Sequence, residues 1–215
     1  MPKIVDPEAR RQAVADAVLR VIAREGVEGA SLRNVADEAR LAVGSVRHYF
    51  RDHDELLLFT MRELSARIDR RVRTHVDRLL DPAARRERPA RVEELIGEFL
   101  ALDGERRQEA VLWAAFCGAA RLRPELRACA VEMETGLRAL LARVLRGAQE
   151  AGGLPADLDV DLECLRLSAL LDGLNLRAML EPEYVTPEAQ RAVLRRHLQG
   201  LKAGWGGIEG GLRRD

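Results

Sequence analysis

The side chains best suited to chemistry stand together in one short segment near the N-terminus. They are Ser45, Arg47, His48 and Tyr49. All four carry groups that hydrogen-bond to nucleic-acid bases or phosphates. Val46 and Phe50 lie four positions apart in the same segment, so they share one apolar helical face and leave the four polar side chains largely outside it. The segment therefore predicts a short helix with an outward hydrogen-bonding surface.

Neighbouring patterns predict the helices that hold this surface. A preceding short helix is indicated by apolar residues at i, i+3, i+4 and i+7, namely Leu32, Val35, Ala36 and Ala39, with Ser31 as its N-cap. Asp52 and Glu55 form a capping box before a long apolar pattern, which predicts a helix over residues 54–78. Two short helices joined by a tight turn and followed by a capped third helix outline a helix-turn-helix DNA reader.

A further helix precedes these and completes a small head. Its apolar stripe begins after Pro7 and stops at Gly26, which predicts a helix over residues 7–25. The resulting DNA-binding domain, residues 1–53, is too small to be stable without support, which the helix that follows it should provide. The rest of the chain, residues 54–215, is predicted to form an effector-binding and dimerisation domain.

The composition of the 215 residues favours helix almost throughout, because Ala, Leu, Arg and Glu dominate and only 4% of the residues are aromatic. An all-α fold is predicted. Two prolines and a charge run mark residues 81–89 as a loop, and further helices are expected near residues 90–103, 106–121, 124–151, 160–181 and 187–204. Apolar residues surround the 160–181 helix, and the last helix has an apolar stripe that reaches Trp205. A homodimer joined by these two helices in a four-helix bundle would bury both.

Charge and targeting patterns limit the partners. The 35 basic and 35 acidic residues cancel, which counts against an indiscriminate DNA coater but not against a dimer that reads one site through a local basic face. Residues suited to that face are Lys3, Arg10, Arg11, Arg33 and Arg47. Neither a signal peptide nor a membrane span is apparent, so a cytoplasmic protein without membrane contact is expected. Cys117, Cys129 and Cys164 suggest neither a disulfide framework nor a metal site and are interpreted as buried apolar residues.

The reading segment resembles that of the TetR/AcrR family of bacterial transcriptional regulators. The family pattern runs Ala-Gly-Val-Ser-x-Gly-Thr-Leu-Tyr-x-Tyr-Phe-x-x-Lys-Glu-Glu-Leu, and the residues on or near it are Ala39, Leu41, Gly44, Ser45, Val46, Tyr49, Phe50, Glu55 and Leu56. The chain's length and helix order match as well. The resemblance implies a dimer that binds a double-stranded operator and is controlled by a small molecule, with no cofactor.

Several positions of the head depart from this family pattern. Arg40 replaces the usual turn glycine, where a left-handed backbone would cost about 1 kcal/mol. Ala42 replaces a capping serine, Val43 a frequent base reader, and His53 a phosphate-binding lysine. Arg47 stands where tyrosine is common, and its guanidinium fork could read guanine. The predicted DNA-binding residues are Ser31, Arg33, Ala42, Val43, Ser45, Arg47, His48, Tyr49 and His53.

The body resembles the branch typified by the choline-responsive repressor of betaine synthesis, on the evidence of Trp113-x-x-Phe116 and the run 171–178. Predicted ligand-binding residues are Phe99, Trp113, Phe116, Met133, Leu137 and Asn175, which could equally be core. An aromatic cage for a quaternary ammonium could use Phe99, Trp113, Phe116 and Tyr184. Asp172 and Asn175 are polar residues in an apolar helix and are assigned to the dimer interface or to the pocket, with a preference for the interface.

These observations predict a transcriptional regulator that binds a pseudo-palindromic operator as a homodimer and is released by a small molecule. Repression is the predicted mode of action. Two alternatives remain open: an activator of the same fold, and a helical protein-interaction module that does not bind DNA. An enzyme is not expected, because there is no glycine-rich phosphate loop, nucleophile elbow or repeated carboxylate pair. No catalytic or metal-binding residue is assigned.

Overall fold

A computed structural model of the chain describes residues 7–26, 29–80 and 87–203. Within these ranges the chain forms nine α-helices and no strand, as an all-α fold requires. They are α1 (Pro7–Glu25), α2 (Leu32–Glu38), α3 (Val43–Tyr49), α4 (His53–Leu80), α5 (Arg88–Gly97), α6 (Gly104–Ala120), α7 (Pro124–Glu150), α8 (Val160–Leu180) and α9 (Pro187–Ala203).

The first three helices pack around a small shared core. α1 contributes the buried side chains of Val14 and Val18, α2 contributes Val35, and α3 contributes Val46. Ser31 caps α2 as expected, because its side-chain oxygen accepts the N–H of Asn34 at 3.1 Å. The short helices are therefore held by burial of one apolar face each, since seven residues are too few to form a stable helix alone.

Two chain reversals in the head use left-handed backbone. Gly26 ends α1 with a φ of 74°, and Arg40 lies between α2 and α3 with a φ of 54°. Glycine adopts this conformation freely, whereas an arginine there costs about 1 kcal/mol. Arg40 therefore adopts the left-handed conformation that would be unstrained for a turn glycine, and α2 and α3 pack against each other.

α4 carries the chain from the head into the body. Asp52 caps it by accepting the N–H of Glu55 at 2.8 Å. The reciprocal bond of the expected capping box goes to a different residue, because the Glu55 carboxylate accepts the N–H of Arg51 at 2.8 Å. At 28 residues the helix spans about 42 Å.

One core joins the head to the body. Phe116 of α6 and Leu126 of α7 are fully buried in the same cluster as Phe50 and the α4 residues Leu57 and Met61. Two ion pairs flank this core: Arg67 of α4 with Asp16 of α1, and Arg123 with Asp54 at 2.8 Å. The sequence indicated α4 alone as the support for the head, and the structure adds α6 and α7.

A second core organises the far end of the body. Ile96 of α5, Leu141 of α7, Leu167 of α8 and Leu194 of α9 are fully buried there. The opposite side of α8 remains exposed in the single chain and carries Leu162, Leu165, Leu176 and Leu180. The exposed side of α9 carries Val193 beside charged residues such as Arg195 and Arg196.

The helix predicted near residues 90–103 is present, but its C-terminal end was placed too late. α5 begins earlier, with Pro89 in its first turn, where a missing N–H costs nothing. It ends at Gly97, because the backbone that follows is hydrogen-bonded to Asn175 of α8. The Asn175 amide N–H donates to the Phe99 carbonyl at 2.8 Å, and the Asn175 side-chain oxygen accepts the Ala101 N–H at 2.9 Å. Asn175 is therefore an intrachain clamp, which corrects the preference for the dimer interface.

Some sequence expectations lie partly or wholly outside the described residues. The expected loop over 81–89 is described only from residue 87, where Arg88 and Pro89 already belong to α5. Lys3 and Trp205 also lie outside the described ranges. All three cysteines are free thiols, of which Cys129 and Cys164 are buried and Cys117 is half-buried. Across the described part of the chain, no helix combines the length and apolar character that crossing a membrane requires.

Candidate functional site

The outward face of α3 is built on a single buried anchor. Val46 is fully buried, whereas Arg47 and His48, the two residues that follow it, are exposed and Ser45 is half-exposed. Tyr49 is half-buried because its ring packs against the head's core, and the His48 ring meets it edge-on at 5.4 Å. The arrangement predicted from the sequence is present: Val46 is the fully buried residue of the helix, Val43 and Tyr49 pack partly against the same core, and Arg47 and His48 are exposed.

The remaining predicted DNA-binding residues differ in how accessible their side chains are to DNA. Arg33 is exposed on α2 and Ala42 is exposed before α3, where it makes no side-chain cap. Val43 packs against the head's core, which limits base contact by its side chain. The Ser31 oxygen already accepts a backbone N–H, and His53 lies 3.8 Å from the Asp54 carboxylate.

A second candidate site is a cavity of about 100 Å³ in the body, enclosed by α4, the α5–α6 turn, α6, α7 and α8. Five of the six predicted ligand-binding residues line it: Phe99, Trp113, Met133, Leu137 and Asn175. Phe116 does not line the cavity, because its side chain is fully buried in the core shared with the head. Tyr184 is also absent from the lining and is 82% exposed. The aromatic cage suggested by the sequence is thus reduced to two rings.

The cavity has a charged lining, of which only Asp172 was predicted from the sequence as a possible pocket residue. The charged residues are Glu98, Arg106, Glu109, Glu134 and Asp172. A signal did exist for Glu109, because this carboxylate stands beside the apolar run 110–120 and would have to be buried with it. The others are brought together only by the packing of separate helices, which no local pattern shows.

Part of this charge is neutralised by Arg71 of α4. Its guanidinium makes two bonds to Glu109, at 2.8 and 2.6 Å, and one to Glu98 at 2.9 Å. Glu98 is also 3.0 Å from the His75 ring and 3.4 Å from the Arg106 guanidinium. Hydrogen bonding to Glu109 is the main reason that the pKa of Arg71 is raised further above its ordinary value. This network connects two residues of the cavity lining, Glu98 and Glu109, to α4, the helix that follows the head.

The other two carboxylates lack such compensation. Burial raises the pKa of Glu134, and the nearby Asp172 carboxylate raises it further. Burial also raises the pKa of Asp172, against a hydrogen bond from the Trp113 indole. The same two acids add to the effect of burial on Cys117, whose pKa rises to about 12, so this thiol is not a reactive thiolate at neutral pH.

Comparison with known proteins agrees with this two-site layout. Residues 14–58 match the family described as bacterial regulatory proteins, tetR family, and residues 88–203 match the family of BetI-type transcriptional repressors, C-terminal. The chain belongs to the TetR family. The first match contains α2 and α3, and the second contains the helices around the cavity other than α4.

Individual TetR-family proteins match nearly the whole chain. The HTH-type transcriptional regulator PksA of Bacillus subtilis is 36% identical over 203 residues, which is 94% of each chain. The HTH-type transcriptional regulator BetI of Vibrio campbellii is 26% identical over 198 residues, covering 92% of this chain and 94% of that protein. A crystal structure of a putative transcriptional regulator from Pseudomonas aeruginosa superposes with a TM-score of 0.76 at 31% identity, covering 94% of each chain. The chain is accordingly a ligand-responsive transcriptional regulator of the repressor type, and the family is one of regulators and not of enzymes.

Proposed function

We propose that two copies of this chain place their α3 helices in successive major grooves of a pseudo-palindromic operator and block transcription until a small molecule enters the cavity. The observation that carries this proposal is the outward face of α3, where Arg47 and His48 are exposed around the buried Val46. A helix held by one apolar anchor with polar side chains outward is the geometry with which helix-turn-helix proteins enter a major groove.

The exposed apolar side of α8, together with Val193 on the neighbouring α9, supports the dimer. Leu165, Leu176 and Leu180 are each more than half exposed in the single chain, a pattern that normally marks a protein interface. Packing the two helices against the same pair from a second copy buries them in a four-helix arrangement. The two-fold axis of such a dimer matches the two-fold symmetry of a pseudo-palindromic site.

Two elements link the cavity to the head. α6 contributes Trp113 to the cavity lining and, one helical turn later, Phe116 to the core shared with the head. α4 contributes Arg71, which bonds to Glu109 of the cavity lining, and Leu57, which belongs to the same shared core. A ligand that shifts either helix therefore displaces packing under α1 to α3. We infer that this changes the distance between the two α3 helices of the dimer and releases DNA.

The individual contacts follow from side-chain chemistry. We assign base reading to Arg47, through the acceptor pair of a guanine, and phosphate contact to Tyr49. Ser45, His48 and Arg33 are assigned to bases or phosphates. The weaker positions are Ser31, Ala42, Val43 and His53, which can contribute by backbone approach or, for His53, by an imidazole contact to phosphate.

Substitution of Arg47 tests the base-reading assignment. Arg47→Ala should relax the preference at one base pair of each half-site by about 1 to 3 kcal/mol, because a bidentate contact to guanine is lost. The measurement is fluorescence anisotropy with a panel of operators that carry each base at each position. Equal discrimination by the wild type and the variant at every position would refute the assignment.

Tyr49→Phe is the matched comparison on the same helix. It removes only the phenolic hydroxyl, so all operator sequences should be weakened by a similar factor, with no change in base preference. A change in preference at one base pair would show that Tyr49 reads a base.

A further inference from the structure

In the described part of the chain, two of the carboxylates that line the cavity have an ion-pair partner, and two do not. Glu98 and Glu109 are paired with Arg71, and Arg106 lies 3.4 Å from Glu98. Within the described residues no such ion pair is formed by the two other lining carboxylates, Glu134 of α7 and Asp172 of α8. The cavity therefore presents two uncompensated acceptor groups on its α7 and α8 sides.

The nearest cation on the same helix as Glu134 is Arg138, whose charge lowers the pKa of the Glu134 carboxyl by less than burial and Asp172 raise it. Arg138 is exposed one turn further along α7, and its guanidinium donates to the Thr135 hydroxyl at 3.3 Å. The Asp172 carboxylate accepts one hydrogen bond from the Trp113 indole, which leaves most of its acceptor capacity unused. Partial burial in the cavity lining raises the pKa of both carboxyls, although Asp172 as a residue stays exposed in the single chain.

The rest of the lining defines what kind of cation fits. Leu64, Ile68, Leu137 and Leu171 provide apolar walls. Aromatic faces are scarce, because Phe99 and Trp113 are the two rings that the described residues contribute. A quaternary ammonium depends on aromatic faces and has no N–H to give. A primary or secondary ammonium instead offers two or three donors to carboxylate oxygens.

We propose that the effector of this chain carries a protonated primary or secondary amine on an aliphatic body, and that Glu134 and Asp172 bind the amine by charge-assisted hydrogen bonds. The role of the amine as an effector rests on the proposed function, whereas binding of the amine can be measured without DNA. With two carboxylates available, a short diamine neutralises the site most completely. A cavity of about 100 Å³ suits a chain of a few methylene groups.

The test is calorimetric titration of the full chain, without DNA, with four matched probes. The probes are putrescine, its fully N-methylated bis-quaternary analogue, the uncharged diol of the same length, and succinate. Putrescine should bind, and the other three should bind at least about tenfold more weakly, because each lacks N–H donors, positive charge or both. Equal or tighter binding of the quaternary analogue, the diol or succinate would overturn the proposal, as would no binding of putrescine.

Charge-neutral variants locate the site. Glu134→Gln and Asp172→Asn should each weaken putrescine by about tenfold or more while leaving the melting temperature unchanged or higher, because each removes an uncompensated carboxylate. Glu132→Gln is the matched control, since this exposed residue on α7 lies outside the cavity lining. Asp172→Asn should also lower the pKa of the Glu134 carboxyl, measured by NMR titration. Binding that is unaffected by both cavity variants would overturn the proposal.

Operator binding is measured separately to keep the two proposals apart. If the chain binds the amine through Glu134 and Asp172 but selects no operator, the proposed function is refuted and the amine site is retained. If the chain binds an operator but does not bind the amine, the amine site is refuted and the proposed function is retained. If both hold, putrescine should weaken operator binding by the wild type, and Asp172→Asn should abolish that response.

Discussion

Replacing Phe116 by Ala is expected to lower the free energy of unfolding by about 3 to 5 kcal/mol, the cost of deleting a large buried aromatic side chain. The ring is fully buried among residues of α1, α4 and α7 and lies one turn from Trp113. It therefore supports the head and the cavity wall at once. Urea denaturation followed by circular dichroism and by tryptophan fluorescence measures the loss.

The same substitution separates a core residue from a ligand contact. Because the core is shared, the two probes should continue to report one transition, and operator binding should weaken along with stability. Phe59→Ala is the matched control, since this half-buried ring packs 5.2 Å from Phe50 at the edge of the same core. Its loss should cost about half as much. A Phe116→Ala variant as stable as the wild type would contradict the shared core.

Substitution of Arg71 is expected to have the second largest effect. Arg71→Met should cost about 2 to 4 kcal/mol, because it leaves Glu109 and Glu98 without their main cation in a partly buried site. The Glu109 side chain is only 7% exposed, so water cannot replace the lost bonds. Part of the loss should be recovered at a pH low enough to protonate these carboxylates. Thermal melting as a function of pH provides the measurement.

Two further variants control for the loss of a basic residue. Arg70→Met removes an exposed guanidinium from the neighbouring position and should change stability by less than about 0.5 kcal/mol. The double variant Arg71→Met with Glu109→Gln should recover part of the loss, since the strongest unpaired charge is then absent. If Arg71→Met and Arg70→Met were equally stable, the network would have no structural role.

Local signals in the sequence were sufficient for most of the fold. The bounds of α1 and α4 follow from Pro7, Gly26 and the Asp52 cap, all of which act within a few residues. The end of α5 could not be predicted in this way. It depends on Asn175, whose side chain bonds to backbone more than seventy positions away in the sequence. A periodicity argument has no access to such a contact.

The two sites differ in the same respect. The α3 face lies within one short segment, so residue types and helical spacing were enough to predict which side chains point outward. The cavity is assembled from five parts of the chain. Of the four aromatic candidates, Phe99 and Trp113 line the cavity, whereas Phe116 lies in the core shared with the head and Tyr184 is exposed. Most of the charged lining could not be predicted, because Glu134 and Asp172 come together only where α7 packs against α8.

The central claim is that a dimer of this chain reads a specific operator through α3. The most direct measurement is selection of fragments of the source genome by the full chain, followed by anisotropy titration of the recovered site with the wild type and Arg47→Ala. We predict a pseudo-palindromic site that binds a dimer, an affinity that falls steeply with salt, and a base preference that Arg47→Ala relaxes at one position per half-site. Fragments bound no better than unrelated duplex DNA would contradict the claim.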